Sequence, residues 1–324
     1  MNKPLNSAAY YITAIILLLS SCADTDRYIY NGEDSTLLTY DEALAQWEAT
    51  LASASFVEAT DAVPTDENDD LYDDYLENQQ FTRRVDIVYT ADTAYVTTTQ
   101  SSDQVGISVS GAHVKLNLDR KKLLISLSGE TNDGSLKIYS ENKFQLMLNG
   151  VSITSLRGSA INIQSKKRTF LTLVQGTTNT LSDATLYTDT IAGEDEKGCF
   201  FSEGQVIMAC VNSDGTVAPN ATTTNALLTI KGNALHALAT DEYLFVHPGV
   251  RLDITKAAKD AIHTNEGLRM TGGLVRAYAQ KDAIQADTLG IEMTGGWLYS
   301  YGKRAYTADP VNVTLPARFV PLSN

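Results

Sequence analysis

The chain is poor in the residues that build catalytic and metal centres. Its 324 residues include only three cysteines and four histidines, and neither type falls at a spacing that resembles a zinc site. No nucleophile elbow and no metalloprotease helix motif occurs. Bases are outnumbered, 25 against 39 acids, for a formal charge of −14. That balance excludes nucleic acid as a partner, because phosphate binding runs on clustered Lys and Arg. Long apolar runs are missing too. The run from Ala8 to Leu19 is shorter than the roughly 20 residues a membrane-crossing helix needs. Apolar residues still make up 43 % and charged residues only 20 %, so the chain as a whole reads as folded rather than disordered.

The acidity belongs to one segment. Residues 23–80 hold sixteen acids and one base, Arg27, whereas residues 81–324 hold equal numbers of each sign. Before them, Lys3 and the short apolar run read as a secretory signal over residues 1–22. Leu19-Ser20-Ser21-Cys22 resembles the lipobox of bacterial lipoproteins, in which the Cys is acylated. The expectation is a lipid on Cys22, holding the protein on the outer membrane or cell surface of a Gram-negative bacterium.

Residues 23–80 read as an acidic tether, mostly flexible. Leu44, Trp47 and Leu51 stand at helical spacing, so a short helix fits between Tyr40 and Val57. The dense acids from Asp61 to Glu77 are expected to repel one another and stay extended, as a spacer between membrane and body. Cys199 and Cys210 either pair in an oxidising compartment or are two buried thiols in apolar company.

From Phe81 the texture changes. Short runs rich in Val, Ile, Thr and Tyr, such as Val85-Asp86-Ile87-Val88-Tyr89, alternate with Gly, Asn and Asp, which indicates an all-β fold. A repeat then decides the architecture. Lys259-Asp260-Ala261-Ile262 recurs 22 residues later as Lys281-Asp282-Ala283-Ile284, and in degraded form as Lys303-Arg304-Ala305-Tyr306. Met270-Thr271-Gly272-Gly273 recurs as Met293-Thr294-Gly295-Gly296. A unit of about 22–24 residues holds about three short strands and three turns. It cannot bury its apolar face alone, but stacked units can. The prediction is a right-handed parallel β-helix over residues 81–324, with the Gly-Gly pairs at corners needing positive φ. Gly198 and His236 occupy similar places yet lie 38 apart, which predicts an inserted loop around 211–226 that projects from the solenoid.

Several segments carry a family resemblance: Phe144-Gln145-Leu146-Met147-Leu148-Asn149-Gly150, Ala160-Ile161-Asn162-Ile163, Lys197-Gly198-Cys199-Phe200-Phe201, and Asp260-Ala261-Ile262-His263-Thr264-Asn265. Across roughly residues 75–306 the chain resembles bacterial carbohydrate-binding domain-containing proteins of the pectate-lyase-like β-helix type. The resemblance implies binding of acidic plant polysaccharides such as pectin, with calcium, and without lyase activity. Arg304 departs from the family repeat, which usually has Asp there.

Stacked coils place equivalent residues about 4.8 Å apart. Lys259, Lys281 and Lys303 are therefore expected to form a basic row suited to a uronic-acid chain, or else a surface ladder of weak Lys–Asp pairs. Asp260 and Asp282 form the next row, with Glu266 and Asp287 close to the following turn. Converging carboxylates would hold Ca²⁺, which takes six to eight oxygens at about 2.4 Å. Trp297, Tyr299 and Tyr301 share one strand face, as core if it points inward and as a sugar-stacking platform if outward. The expected activity is that of a monomeric, lipid-anchored polysaccharide-binding protein. The alternatives are a calcium-dependent polysaccharide lyase and an adhesive solenoid that binds no glycan.

Overall fold

The computed structural model describes residues 36–50, 56, 62–99, 105–218 and 226–322. Cys22 and the signal segment lie outside these residues. The body is a parallel β-solenoid of about 8 turns. One inward row runs through Val114, Leu136, Ile161, Phe200, Leu238, Ile262 and Ile284. A second runs through Ile125, Leu146, Leu171, Met208, Val246, Met270 and Met293. All these side chains are buried. Fully burying one such side chain contributes roughly 1.5–3 kcal/mol, and repetition along the axis makes one continuous core.

Two hairpins end the stack at its N-terminal side. Arg83–Thr90 pairs antiparallel with Thr93–Thr98, and Val105–Ser110 with Ala112–Leu118. The edge strand Val105–Ser110 is exposed at every residue but the first. At the other end, Val311–Val313 and Arg318–Leu322 add a last parallel layer on Gly290–Tyr301. Gly273 and Gly296 turn corners at φ of 78° and 75°. A Cβ on Gly296 would stand 2.4 Å from the Gly272 and Gly273 carbonyl oxygens, so the stacked corners admit only glycine.

Two coils are long. Ile161 pairs with Phe200, and Phe200 with Leu238. Each of these steps takes far more chain than the step from Leu136 to Ile161 before them or from Leu238 to Ile262 after them. The first excess, residues 183–197, returns onto the sheet. Glu194 accepts hydrogen bonds from Lys137 Nζ at 2.8 Å and from the Tyr139 hydroxyl at 2.6 Å. The second, expected to project, is corrected over its described part. Residues 212–218 fold back along the solenoid, where the buried Gln145 side chain donates to the Gly215 carbonyl at 2.9 Å. A buried amide needs that acceptor. Residues 219–225 lie outside the described residues.

Over residues 36–50 and 62–80 the acidic segment lies on the solenoid rather than extended as a spacer. Helix Tyr40–Thr50 starts at a capping box: Glu42 accepts the Thr39 N–H at 2.8 Å, and Thr39 Oγ1 accepts the Glu42 N–H at 3.3 Å. It packs its fully buried Ala43 and Trp47 on the C-terminal coils. Residues 62–80 form a strap with two short 3-10 turns, Tyr72–Asp74 and Leu76–Asn78. Asp74, 1 % exposed, accepts from Arg168 Nε and the Tyr243 hydroxyl, both at 2.6 Å. Tyr75 packs edge-on against Phe245 and His247. Self-repulsion does not extend the strap because cations of the solenoid meet its carboxylates. Cys199 and Cys210 are buried thiols not joined by a disulfide.

Candidate functional site

The strands Leu123–Thr131, Phe144–Thr154, Thr169–Val174 and Val206–Val211 stack in parallel, so the turns that lead into them stack as well. Their last residues form one row. Lys122 O accepts from Arg83, Arg168 O from Phe144 and Gln205 O from Thr169, which aligns Lys122, Lys143, Arg168 and Gln205. At about 4.8 Å per coil, cations occupy three consecutive levels, flanked by Lys121, Lys166 and Lys167. Gly204 allows the next turn to close against this row. A Cβ there would lie 2.7 Å from backbone atoms of Lys166 and Lys167.

The turns and the strap enclose a groove of about 620 Å³ along the solenoid axis. One wall holds Lys121, Lys122, Lys143, Lys166, Lys167 and Arg168 together with one acid, Glu141, and the strap with the residue after it supplies Asn78, Gln79, Gln80 and Phe81 on the other. Phe81 rests on Phe170 with ring centroids 5.5 Å apart. Asp73 Oδ1 lies 2.9 Å from Lys143 Nζ, and Arg168 Nη1 is 3.9 Å from Asp73 Oδ2. The hydrogen bond from Lys143 holds the Asp73 carboxyl below its ordinary value. Lys121, Lys122, Lys166 and Lys167 are exposed and form no ion pair among the described residues. Lys122 sits at φ 65°, a left-handed conformation that costs an ordinary side chain about 1–2 kcal/mol. Such strain collects at functional positions. The groove therefore offers an extended anionic chain a row of open ammonium groups, with amides and a ring edge opposite.

The residues singled out from the repeat lie elsewhere. Lys259, Lys281 and Lys303 do stack, since Lys281 N donates to Lys259 O at 3.1 Å. They are not three outward ammonium groups, however. Lys259 is 5 % exposed, Lys281 Nζ turns to within 3.7 Å of Asp260 Oδ1, and Lys303 alone is exposed. Asp260 and Asp282 are likewise neighbours, with the Asp282 N–H donating to Asp260 Oδ1 at 3.2 Å.

Their partners do not suit calcium. Asp282 is held by Arg304 through Nε at 2.6 Å and Nη2 at 2.5 Å, and Asp260 Oδ2 lies 3.2 Å from the Nδ1 atoms of both His236 and His263. Arg304, where the family repeat usually has Asp, thus neutralises a buried carboxylate. Glu266 and Asp287 stand beyond the far ends of the strands Ile262–Thr264 and Ile284–Ala286. Asp287 accepts from Gln285 at 3.2 Å. The four carboxylates do not converge.

Trp297, Tyr299 and Tyr301 face outward, alternating with the core residue Leu298, yet they are buried. Helix Tyr40–Thr50 and its flanking residues Leu38 and Phe56 cover them. Trp47 lies 5.6 Å from Tyr299 between ring centroids, and the Tyr301 hydroxyl accepts from Leu38 N at 2.8 Å. The face is an aromatic surface already occupied by the chain itself.

The groove was within reach of the repeat logic. Lys121-Lys122, Lys143 and Lys166-Lys167-Arg168 recur once per coil, just before an apolar strand. A search for repeated identities overlooks this signal, because only charge recurs.

Comparison with known proteins agrees with this architecture. A curated carbohydrate-binding domain-containing protein of Acetivibrio thermocellus is 29 % identical over 126 residues, 38 % of this chain and 42 % of that protein. The match thus spans less than half of the relative's length. A solved structure of a polysaccharide lyase-like protein from C. thermocellum, a gadolinium derivative, superposes with a TM-score of 0.55 at 19 % identity, over 73 % of this chain and 99 % of the other. That likeness is one of fold. The family model for carbohydrate-binding domain-containing proteins matches residues 101–308, a span that takes in the solenoid from its second hairpin and most of the basic groove, and the chain belongs to that family.

Proposed function

We propose that the protein binds acidic, uronic-acid-containing polysaccharide along the basic groove without cleaving it. The observation that carries this reading is the axial succession of Lys122, Lys143 and Arg168, with Lys121, Lys166 and Lys167 beside them and four of the six unpaired among the described residues. An extended polymer lying along the axis meets one cation per coil, so weak single contacts add through multivalency. The site works through its ammonium and guanidinium groups. Leu19-Ser20-Ser21-Cys22 further supports a lipid anchor on Cys22, which would present the groove at the outer membrane or cell surface.

The test is binding of polygalacturonate and of a neutral glucan at low and at near-physiological salt, with and without EDTA. The screening length falls from about 30 Å at 0.01 M to about 8 Å at 0.15 M. Polygalacturonate binding should weaken across that range, ignore EDTA, and fall at least about tenfold in the Lys121/Lys122/Lys166/Lys167→Gln variant, since a basic row steers and holds an anionic ligand. Undiminished binding in that variant overturns the site. Ultraviolet absorbance of unsaturated uronides in the same mixtures overturns the non-catalytic reading.

A further inference from the structure

The buried cluster of His236, Asp260 and His263 lies outside the groove. His236 and Asp260 occupy equivalent corners of successive coils, because Leu238 pairs with Ile262 and Ala237 N donates to Asp260 O at 3.0 Å. His263 follows Asp260 by one short step, in strand Ile262–Thr264. The two imidazoles stack at 4.1 Å between centroids with planes 27° apart. Each Nδ1 is 3.2 Å from Asp260 Oδ2. Asp260 is 0 %, His236 1 % and His263 9 % exposed.

Hydrogen positions leave this cluster short of positive charge. The amide hydrogen of Asp260 is fixed by its peptide plane and points at His236 Nδ1, 3.3 Å away from the amide nitrogen. That nitrogen therefore presents a lone pair. It faces Oδ2 of Asp260 across 3.2 Å with no hydrogen between them. Two buried acceptors in contact repel unless a cation joins them.

We propose that His236 Nδ1, His263 Nδ1 and the Asp260 carboxylate bind one Zn²⁺-class ion that staples two successive coils. The three donor atoms lie within 4.8 Å of one another, and no other His, Cys, Asp or Glu group among the described residues converges in this way. Zinc takes nitrogen at about 2.0–2.1 Å and carboxylate oxygen at about 2.0–2.2 Å, so tetrahedral ligands sit about 3.4 Å apart. The separation of 3.2 Å between Asp260 Oδ2 and each imidazole Nδ1 matches that spacing. Two imidazoles and one carboxylate select a borderline ion over calcium, which prefers an all-oxygen shell. The Asp282 N–H bond to Asp260 Oδ1 orients the carboxylate from behind. Lys281 Nζ, 3.7 Å from the same oxygen, competes with the ion. The two histidines belong to different coils, and the chain between them hides the set from any short ligand motif.

The test is titration of chelator-stripped full chain with ZnCl₂, followed by equilibrium dialysis and thermal melting. One Zn²⁺ per chain should be retained, raise the melting temperature and resist excess Ca²⁺. Co²⁺ in its place should give a visible absorption band. His236→Gln and His263→Gln should each weaken Zn²⁺ at least about tenfold. Lys281→Gln keeps all three ligands and removes the competing ammonium, so it should tighten Zn²⁺ severalfold. Absence of stoichiometric Zn²⁺, or retention undiminished in the histidine variants, overturns the proposal. Should those variants not fold, unchanged Zn²⁺ affinity in Lys281→Gln overturns it.

Discussion

The two halves of the solenoid use the same residue types in opposite ways. In the N-terminal half, lysines fill the turns before Leu123, Phe144 and Thr169 and line an open groove. In the C-terminal half, Lys259 and Lys281 belong to a corner ladder of buried carboxylates, packed against His236 and His263 and paired with Arg304. The difference lies in the adjacent row. Lys121, Lys122, Lys166 and Lys167 are exposed and have no carboxylate within ion-pair distance among the described residues, whereas beside Lys281 stands Asp260, fully buried and in need of compensation. A repeat position in a stacked fold therefore has no fixed role. Its neighbours along the axis decide whether a charge binds a ligand or holds the coils together. The N-terminal segment sharpens the contrast: its strap walls the open groove, while its helix closes the aromatic face of the other half.

The largest effect is expected where that closure is made. Trp47 is fully buried between the helix and Tyr299, and removing a buried Trp costs roughly 3–5 kcal/mol. Trp47→Ala should release residues 36–50 from the C-terminal coils. Limited proteolysis should then cut there, while the main melting transition of the solenoid persists. Resistance equal to wild type would mean that the helix is held by the Leu38 contacts to Tyr278 and Tyr301 instead.

The contrast between lysine rows is broken by a paired substitution. Lys281→Gln with Lys303→Gln should leave polygalacturonate binding at its wild-type level, in the assay where the groove variant loses it. Equal losses in the two variants would mean that charge anywhere on the body suffices.

A smaller effect is expected at Asp73, which presents a carboxylate of the chain's own to Lys143. Asp73→Asn should tighten polygalacturonate severalfold by freeing that cation. The pair is about half exposed, so its contribution to stability is only about 0–1 kcal/mol. Because Lys143 holds the Asp73 carboxyl below its ordinary value, that contribution is complete above the ordinary carboxylate range. It is lost as pH falls through the lowered native value. Wild type and Asp73→Asn should therefore converge in stability only in strong acid, and a gap that persists there assigns the effect to another cause.

The solenoid was legible from sequence because its cause is local and repeated. Lys-Asp-Ala-Ile recurs from one coil to the next, and Met-Thr-Gly-Gly recurs with it, since each coil must present the same inward side chains and the same glycine corner to its neighbour. The composition of the acidic segment was legible as well, but its position was not. Charge counting treats Asp73 and Asp74 as repelling neighbours, while Arg168, Lys143 and Tyr243, distant in sequence, turn them into anchors. Trp297, Tyr299 and Tyr301 could be placed on one strand face by alternation alone. Which side that face took, and that a helix from the opposite end of the chain would cover it, depended on the packed chain.

By itself the sequence determined the coil: its length, its inward rows, its glycine corners and hence a stack with turns in register. These follow from the period of side chains along a strand and from burial that only stacking achieves. Tertiary structure alone decided which charges stayed open. The groove cations come from three coils, the buried His–Asp–His set from two, and the strap from outside the repeat. Electrostatic role depends on distance and burial across coils, and neither quantity is written in the spacing along the chain.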